Sequence, residues 1–283
     1  MMPRLPSSVT GLKGYGLILA TAFMVGGLIW LVLSNVMIGL IAVGIYFASG
    51  QTALPEDPLE LLPGWLAGVG YVVSLGGVAL WGVALAWLSD MPQRDALALR
   101  APALRAWPVA LALGLTVGLF PSWIASTLVE AWPSLGEGSL ALISELLMGG
   151  APWENAIMLG AVVLGAPLLE EAIFRGLLWH SLARHLPLWL VWLGTSLAFA
   201  AWHMDPLQST AVFFTGLFIG AIRWTTGSIW PAVLVHLGNN ALAAAGTFLA
   251  TEDASVSWYV GLAGLSTSTL LVLLSRTPHP QEP

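Results

Sequence analysis

The sequence predicts an all-α fold, a polytopic bundle of about eight transmembrane helices with both termini in the cytoplasm. Composition comes first: 57% of the 283 residues are hydrophobic and 8% are charged, against about 25% charged in soluble domains. Apolar runs close to the roughly 20 residues that cross a bilayer then recur along the chain. Finally, the basic residues gather in alternate connections, as the positive-inside rule requires.

The runs are Tyr15 to Phe47, Trp65 to Leu88, Trp107 to Val129, Asn155 to Leu178 (helical on to Arg184), Leu188 to Trp202, Gln208 to Arg223, Trp230 to Leu249, and Trp258 to Leu274. The first is long enough for a hairpin, and charge decides against one. With a single span there, Arg4, Lys13, Arg94, Arg100, Arg105, Arg175, Arg184, Arg223 and Arg276 all fall on or toward one side. The opposite connections carry Glu56, Asp57, Glu60, Glu130, Glu137, Glu145, Glu154, Asp205, Glu252 and Asp253 and no Lys or Arg. Many of the 15 Trp sit near predicted ends, among them Trp65, Trp107, Trp132, Trp153, Trp179, Trp189, Trp202, Trp230 and Trp258. They read as an interfacial aromatic belt.

Residues 1–283 read as one integral membrane domain, because no soluble block longer than a loop interrupts the spans. The chain has no Cys, which excludes disulfides, thiol nucleophiles and thiolate metal sites. No basic patch is present, so nucleic acid is not a partner. Lipid is. The tail Pro278-His-Pro-Gln-Glu-Pro283 is short and polar and reads as disordered.

Two adjacent glutamates, Glu170 and Glu171, interrupt the fourth run. Carboxylates at membrane depth are expensive and usually mark working sites. Neighbours on a helix point about 100° apart, so the two differ in role. Glu171 and Arg175 are i,i+4 in the favourable order and offset each other's charge. Glu170 has no such partner on its own helix. Another helix must satisfy it, and a desolvated carboxylate suits a general base. Pro167, three residues earlier, removes the hydrogen bond to the carbonyl of Val163 and permits a bend.

His203 closes the fifth run, and His236 and Asn240 share one face of the seventh. Helix rise puts Glu170 roughly 21 Å above Arg184 and His203 roughly 22 Å above Leu188, so a hairpin at Leu186-Pro187 levels them. Counted from Arg223, His236 falls about 10 Å nearer the cytoplasm. His236 and Asn240 both carry donors for a developing oxyanion. Asn239 points about 100° away from Asn240 and is the weaker candidate. Singly, a transmembrane His or Asn is often interhelical glue. Two glutamates, two histidines and an asparagine together are harder to explain so. His180, His185, His279 and Asn35 read as structural.

No His-Glu-x-x-His motif is present. Glu170, His203 and His236 have the chemistry of a three-ligand zinc site with water in the fourth position. A metal-free pair, with Glu170 activating water held by His203, serves equally. Sequence leaves both open.

Glu170-Glu171-x-x-x-Arg175-Gly176, Phe199-x-x-x-His203 and His236-x-x-x-Asn240 follow in order on successive apolar helices, with Thr226-Gly-Ser-Ile-Trp-Pro231 before the last. In this the chain resembles the CAAX-protease and bacteriocin-processing (CPBP, Abi/Rce-type) family of intramembrane proteases. The resemblance covers 155–245, the expected catalytic core, and the first three spans carry no matching signature. It implies a multi-pass endopeptidase of a bacterial-type plasma membrane, in a family often described as metalloproteases. Its substrate would be a membrane-embedded or lipidated peptide or protein. By the same resemblance Glu170 and His203 activate water, His236 and Asn240 stabilise the oxyanion, and Glu171 and Arg175 shape the site. The competing readings are a non-catalytic immunity or scaffold protein of the same fold and a proton-coupled transporter. Carriers often show paired broken helices in two halves; here the candidate groups are confined to the fourth, fifth and seventh spans.

Overall fold

A computed structural model describes residues 16–56, 61–88, 92–249 and 256–276. Arg4, Lys13, Asp57, Glu60, Glu252, Asp253, the tail 278–283 and both termini lie outside the described residues. The described chain is helical, with no strand among the described residues. The helices are α1 (Gly16–Ala48), α2 (Gly64–Leu88), α3 (Ala106–Ala131), α4 (Ser139–Met148), α5 (Pro152–Ala183), α6 (Leu188–Trp202), α7 (Pro206–Thr226), α8 (Ile229–Leu249) and α9 (Trp258–Ser275). The first run is indeed one helix of 33 residues. A turn at 115–118 interrupts α3, where Pro121 offers no N–H to the carbonyl of Val117.

Six of these, α1, α2, α3, α5, α8 and α9, are long and apolar enough to cross a membrane. The expected eight also included α6 and α7. At 15 residues α6 is short, about 22 Å of helix. In α7, Gln208, Arg223 and several Ser and Thr dilute the apolar character. The two form a tight antiparallel hairpin. Met204, left-handed at φ 51°, turns the chain between them, and Asp205 caps α7 by accepting from the Gln208 N–H at 2.7 Å.

Close packing of α1 on α2 rests on reciprocal Trp–Gly contacts. Trp30 of α1 lies over Gly77 and donates to the Ser74 carbonyl at 3.0 Å. Trp81 of α2 lies over Gly26 and donates to the Ala22 carbonyl at 3.2 Å. Small residues also seat α2 on α5. A Cβ on Gly68 would stand 3.0 Å from Met158 Cα of α5, and, where α2 meets α4, one on Gly64 would stand 3.1 Å from the Leu146 carbonyl. Both glycines therefore serve a backbone approach that larger residues would block.

The sequence reading leaves residues 130–154 as a connection. Here α4 forms instead, ten residues that do not span. The Ser139 N–H donates to Asp205 at 3.0 Å and the Ser139 hydroxyl to Gln208 at 2.6 Å. These bonds fasten the start of α4 to the start of α7. The belt reading also needs one correction: Trp179 is 1% exposed, packed under the Arg223 guanidinium 5.5 Å from its ring centre.

Candidate active site

The site is built on α5, which is not a regular α-helix. Residues 161–165 and 172–178 are π-helical, flanking Pro167 and the two glutamates. In the first π turn the Ala166 N–H bonds the Ala161 carbonyl. Pro167 has no N–H, so the Val162 carbonyl lacks a backbone donor. Asn240 Nδ2 supplies one from α8 at 2.9 Å. The sequence points to Val163 as the freed carbonyl; the π register moves the vacancy back by one residue. In the second π turn the Trp179 N–H reaches the Phe174 carbonyl, and the Arg175 carbonyl takes a bond from Arg223 Nε at 3.1 Å. Such bulges inside α-helices gather at functional sites.

Glu171 and Arg175 pair at 3.2 Å, both with fully buried side chains. Arg175 also donates to the Gly216 carbonyl at 3.0 Å and stacks 4.5 Å from the centre of the Phe199 ring. The Glu171 oxygen that meets Arg175 accepts a second bond, from His236 Nδ1 at 2.8 Å. A carboxylate only accepts, so that ring nitrogen carries the proton. His236 Nε2 then faces Glu170 at 3.7 Å, too far for a direct hydrogen bond. The other oxygen of Glu170 accepts from the Tyr71 hydroxyl at 2.6 Å. These contacts form one chain: Arg175, Glu171, His236, Glu170, Tyr71.

His203 stands at the end of α6, with Nδ1 2.9 Å from the Phe199 carbonyl. A carbonyl also only accepts, so Nδ1 holds the hydrogen and Nε2 keeps its lone pair. Phe199 sits between the two histidines, edge-on to His203 at 5.1 Å and to His236 at 5.6 Å. Its place in the Phe-x-x-x-His motif thus has a physical reason.

A cavity of about 400 Å³ is lined by Tyr71, Glu170, Phe199, His203, His236, Asn239 and Asn240. Pro121 and Ala125 of α3 and Leu140, Ile143, Ser144 and Leu147 of α4 form an opposing wall. Gly118 leaves room for the Asn239 amide, whose oxygen would stand 2.6 Å from a Cβ there. Glu171 and Arg175 are not among the lining residues; they lie behind the wall and hold it.

His236 is level with Glu170, not about 10 Å below. The depth count took Arg223 to be level with Arg184. Arg223 instead sits beside Arg175, roughly 13 Å of helix higher at 1.5 Å per residue. The turn after α7 is held there by Ser228 on the Arg100 carbonyl at 2.6 Å and Ile229 N–H on the Ala98 carbonyl at 3.1 Å.

Residues 152–242 match the family model described as Rce1-like, type II CAAX prenyl endopeptidase. This segment, under half of the chain, is similar to the CAAX-protease family. No curated protein and no solved structure matches the chain. The matched segment holds every motif residue named above, so the family relation and the cavity point to the same helices. The family it resembles is one of CAAX prenyl endopeptidases.

Tyr71 lies outside the matched segment and outside the spans that the sequence reading credits with polar groups. The only sign of it is a tyrosine in an apolar run beside Gly68 and Gly70, which does not say which helix it faces. A zinc ion would need Glu170, His203 and His236 to converge to about 2 Å from one point. Among the described residues no three His, Asp or Glu side chains gather in that way. With His236 Nδ1 on Glu171 and Glu170 on Tyr71, the side chains as arranged do not form a metal site.

Proposed function

We propose that the protein is an intramembrane endopeptidase that hydrolyses a peptide bond of a membrane-associated or lipid-modified peptide or protein, using water activated by Glu170 and His203. The observation that carries this reading is the meeting of Glu170, His203, His236 and Asn240 on one cavity among apolar helices. We place the catalytic core at 155–245 and the protein in a bacterial-type plasma membrane.

The chemistry follows from the lone pairs and protons. A water between Glu170 and His203 donates one hydrogen to the carboxylate and the other to the free Nε2 of His203. Glu170 takes a proton as the water oxygen bonds to the scissile carbonyl carbon. The carbonyl oxygen gains the charge. It meets Nε2 of His236 and the second amide hydrogen of Asn240, the first being held by Val162. The donor role of His236 needs protons on both ring nitrogens; carboxylates at 2.8 and 3.7 Å face such an imidazolium. Collapse breaks the C–N bond, and the amine leaves with the proton held by Glu170.

The test is peptidase activity of purified, detergent-solubilised protein on lipidated and unlipidated peptides, wild type beside Glu170→Ala. The variant should remain inserted and folded and lose cleavage. Turnover by Glu170→Ala at the wild-type rate would overturn the assignment.

A further inference from the structure

We propose that Tyr71 is a positioning residue for the general base. It fixes which oxygen of Glu170 accepts the proton of water. This rests on the reading of Glu170 as the base and adds a working residue from α2, outside the segment that defines the family.

Glu170 is 2% exposed and sits on a helix that offers it no partner of its own. A carboxylate in this setting can rotate about its last bond and present either oxygen to the cavity. The Tyr71 hydroxyl removes that freedom. It donates to one oxygen at 2.6 Å, a length typical of a hydroxyl on a charged acceptor. The other oxygen is left facing His236 Nε2 at 3.7 Å. That gap is too long for a direct bond and leaves the oxygen's lone pairs free for water. A hydroxyl that binds one carboxylate oxygen and leaves the other open orients a base. Proton transfer depends on this alignment.

The backbone is arranged for this contact. Gly68 lets α2 run against α5, and Tyr71 stands one turn further along the same helix. The Tyr71 side chain lines the cavity and is 37% exposed, so it is not a core packing residue whose loss would unfold the protein. Its ring remains when the hydroxyl is removed, which makes Tyr71→Phe a clean variant.

The experiment compares wild type, Tyr71→Phe, Glu170→Asp and the double variant in one detergent and on one peptide. Tyr71→Phe should lower kcat ~10- to 100-fold, the scale of a hydrogen bond to a charged group, with KM and thermal transition unchanged. Glu170→Asp withdraws the carboxylate from Tyr71, so Tyr71→Phe should add little to it. Wild-type kcat in Tyr71→Phe, a change confined to KM, or losses that multiply in the double variant would each overturn the proposal. A wild type that cleaves nothing would overturn the peptidase reading; an active wild type matched by Tyr71→Phe overturns only the role of Tyr71. Infrared difference spectra need no substrate. The Glu170 carboxylate stretch, isolated against Glu170→Gln, should move on Tyr71→Phe, and an unmoved band would show that the contact does not exist.

Discussion

Glu170 and Glu171 are neighbours with opposite consequences when neutralised. Glu171 balances a buried Arg175 and holds His236. Glu171→Gln leaves that cation without its carboxylate, with a stability loss on the order of 3–5 kcal/mol. Glu170→Gln strands no cation. It should unfold near the wild-type temperature and be inactive. Thermal unfolding of both in one detergent checks this, and equal losses would mean that the two carboxylates are not divided as the contacts imply. His236→Ala and Asn240→Ala should each lower turnover ~10²–10³-fold, as for an oxyanion donor. Asn240→Ala should also destabilise α5, because the Val162 carbonyl loses its donor. Unchanged turnover in His236→Ala would move the oxyanion site elsewhere. The motif residues were legible in the sequence because charged and amide groups stand out against an apolar background. Tyr71 was not, since a tyrosine in a span is ordinary until the facing helix is known. The bond from Asn240 to the Val162 carbonyl was also hidden, because only the π turn creates the vacancy.

At the scale of elements, glycines decide how close α2 comes to α5. Gly68→Ala places a Cβ 3.0 Å from Met158 Cα. The helices must part, at about 1–3 kcal/mol, and activity should fall with the loss of the Tyr71 contact. Gly76, on the same helix, has nothing within 4 Å of its would-be Cβ, so Gly76→Ala should cost neither stability nor activity. Equal effects of the two would refute the close-approach argument. The attachment of α4 is the second such device. Partial burial acts to raise the pKa of Asp205, but the backbone N–H groups of Gln208 and Ser139 outweigh it and hold the carboxyl below its ordinary value. A depressed folded value means that its contribution is present above the unfolded pKa. It is lost only as pH falls below about 4, through the folded value. At neutral pH, Asp205→Ala should speed hydrogen exchange in 139–148, and an unchanged rate would show that Asp205 does not hold α4. This helix escaped the sequence reading for a physical reason: ten residues, Glu145 among them, are too few to span, and the first turn is held here by Asp205 and Gln208 at the start of α7.

Across the whole molecule, the direction of each helix can be followed from paired residues. Trp30 meets Gly77 and Trp81 meets Gly26, so α1 and α2 are antiparallel. Gly68 meets Met158 and Gly82 meets Leu177, so α2 and α5 are parallel. Trp192 bonds the Leu217 carbonyl and Ser209 the Ala200 carbonyl, which makes α6 and α7 antiparallel. Gly261 meets Trp123 and Gly264 meets Leu119, which sets α9 against α3. With α4 set aside, direction reverses from one helix to the next, including the short α6 and the polar α7. The described ends that carry Arg223, Arg100, Arg105 and Arg276 then lie together. Arg105 reaches the Arg276 carbonyl at 2.7 Å, and Ser228 the Arg100 carbonyl at 2.6 Å. By length and composition six helices cross, and α6 and α7 fall short for separate reasons, one of length and one of polarity. A hairpin whose polar side faces a cavity need not be apolar all round. We therefore predict that α6 and α7 cross as a pair and that both termini lie in the cytoplasm, on the side rich in arginine. Reporter fusions after Arg276, after Met204 and after Thr226 test this. Cytoplasmic signals after Arg276 and Thr226, with an external signal after Met204, support the paired crossing. A cytoplasmic signal after Met204 would make α6 and α7 a re-entrant hairpin and the bundle six spans.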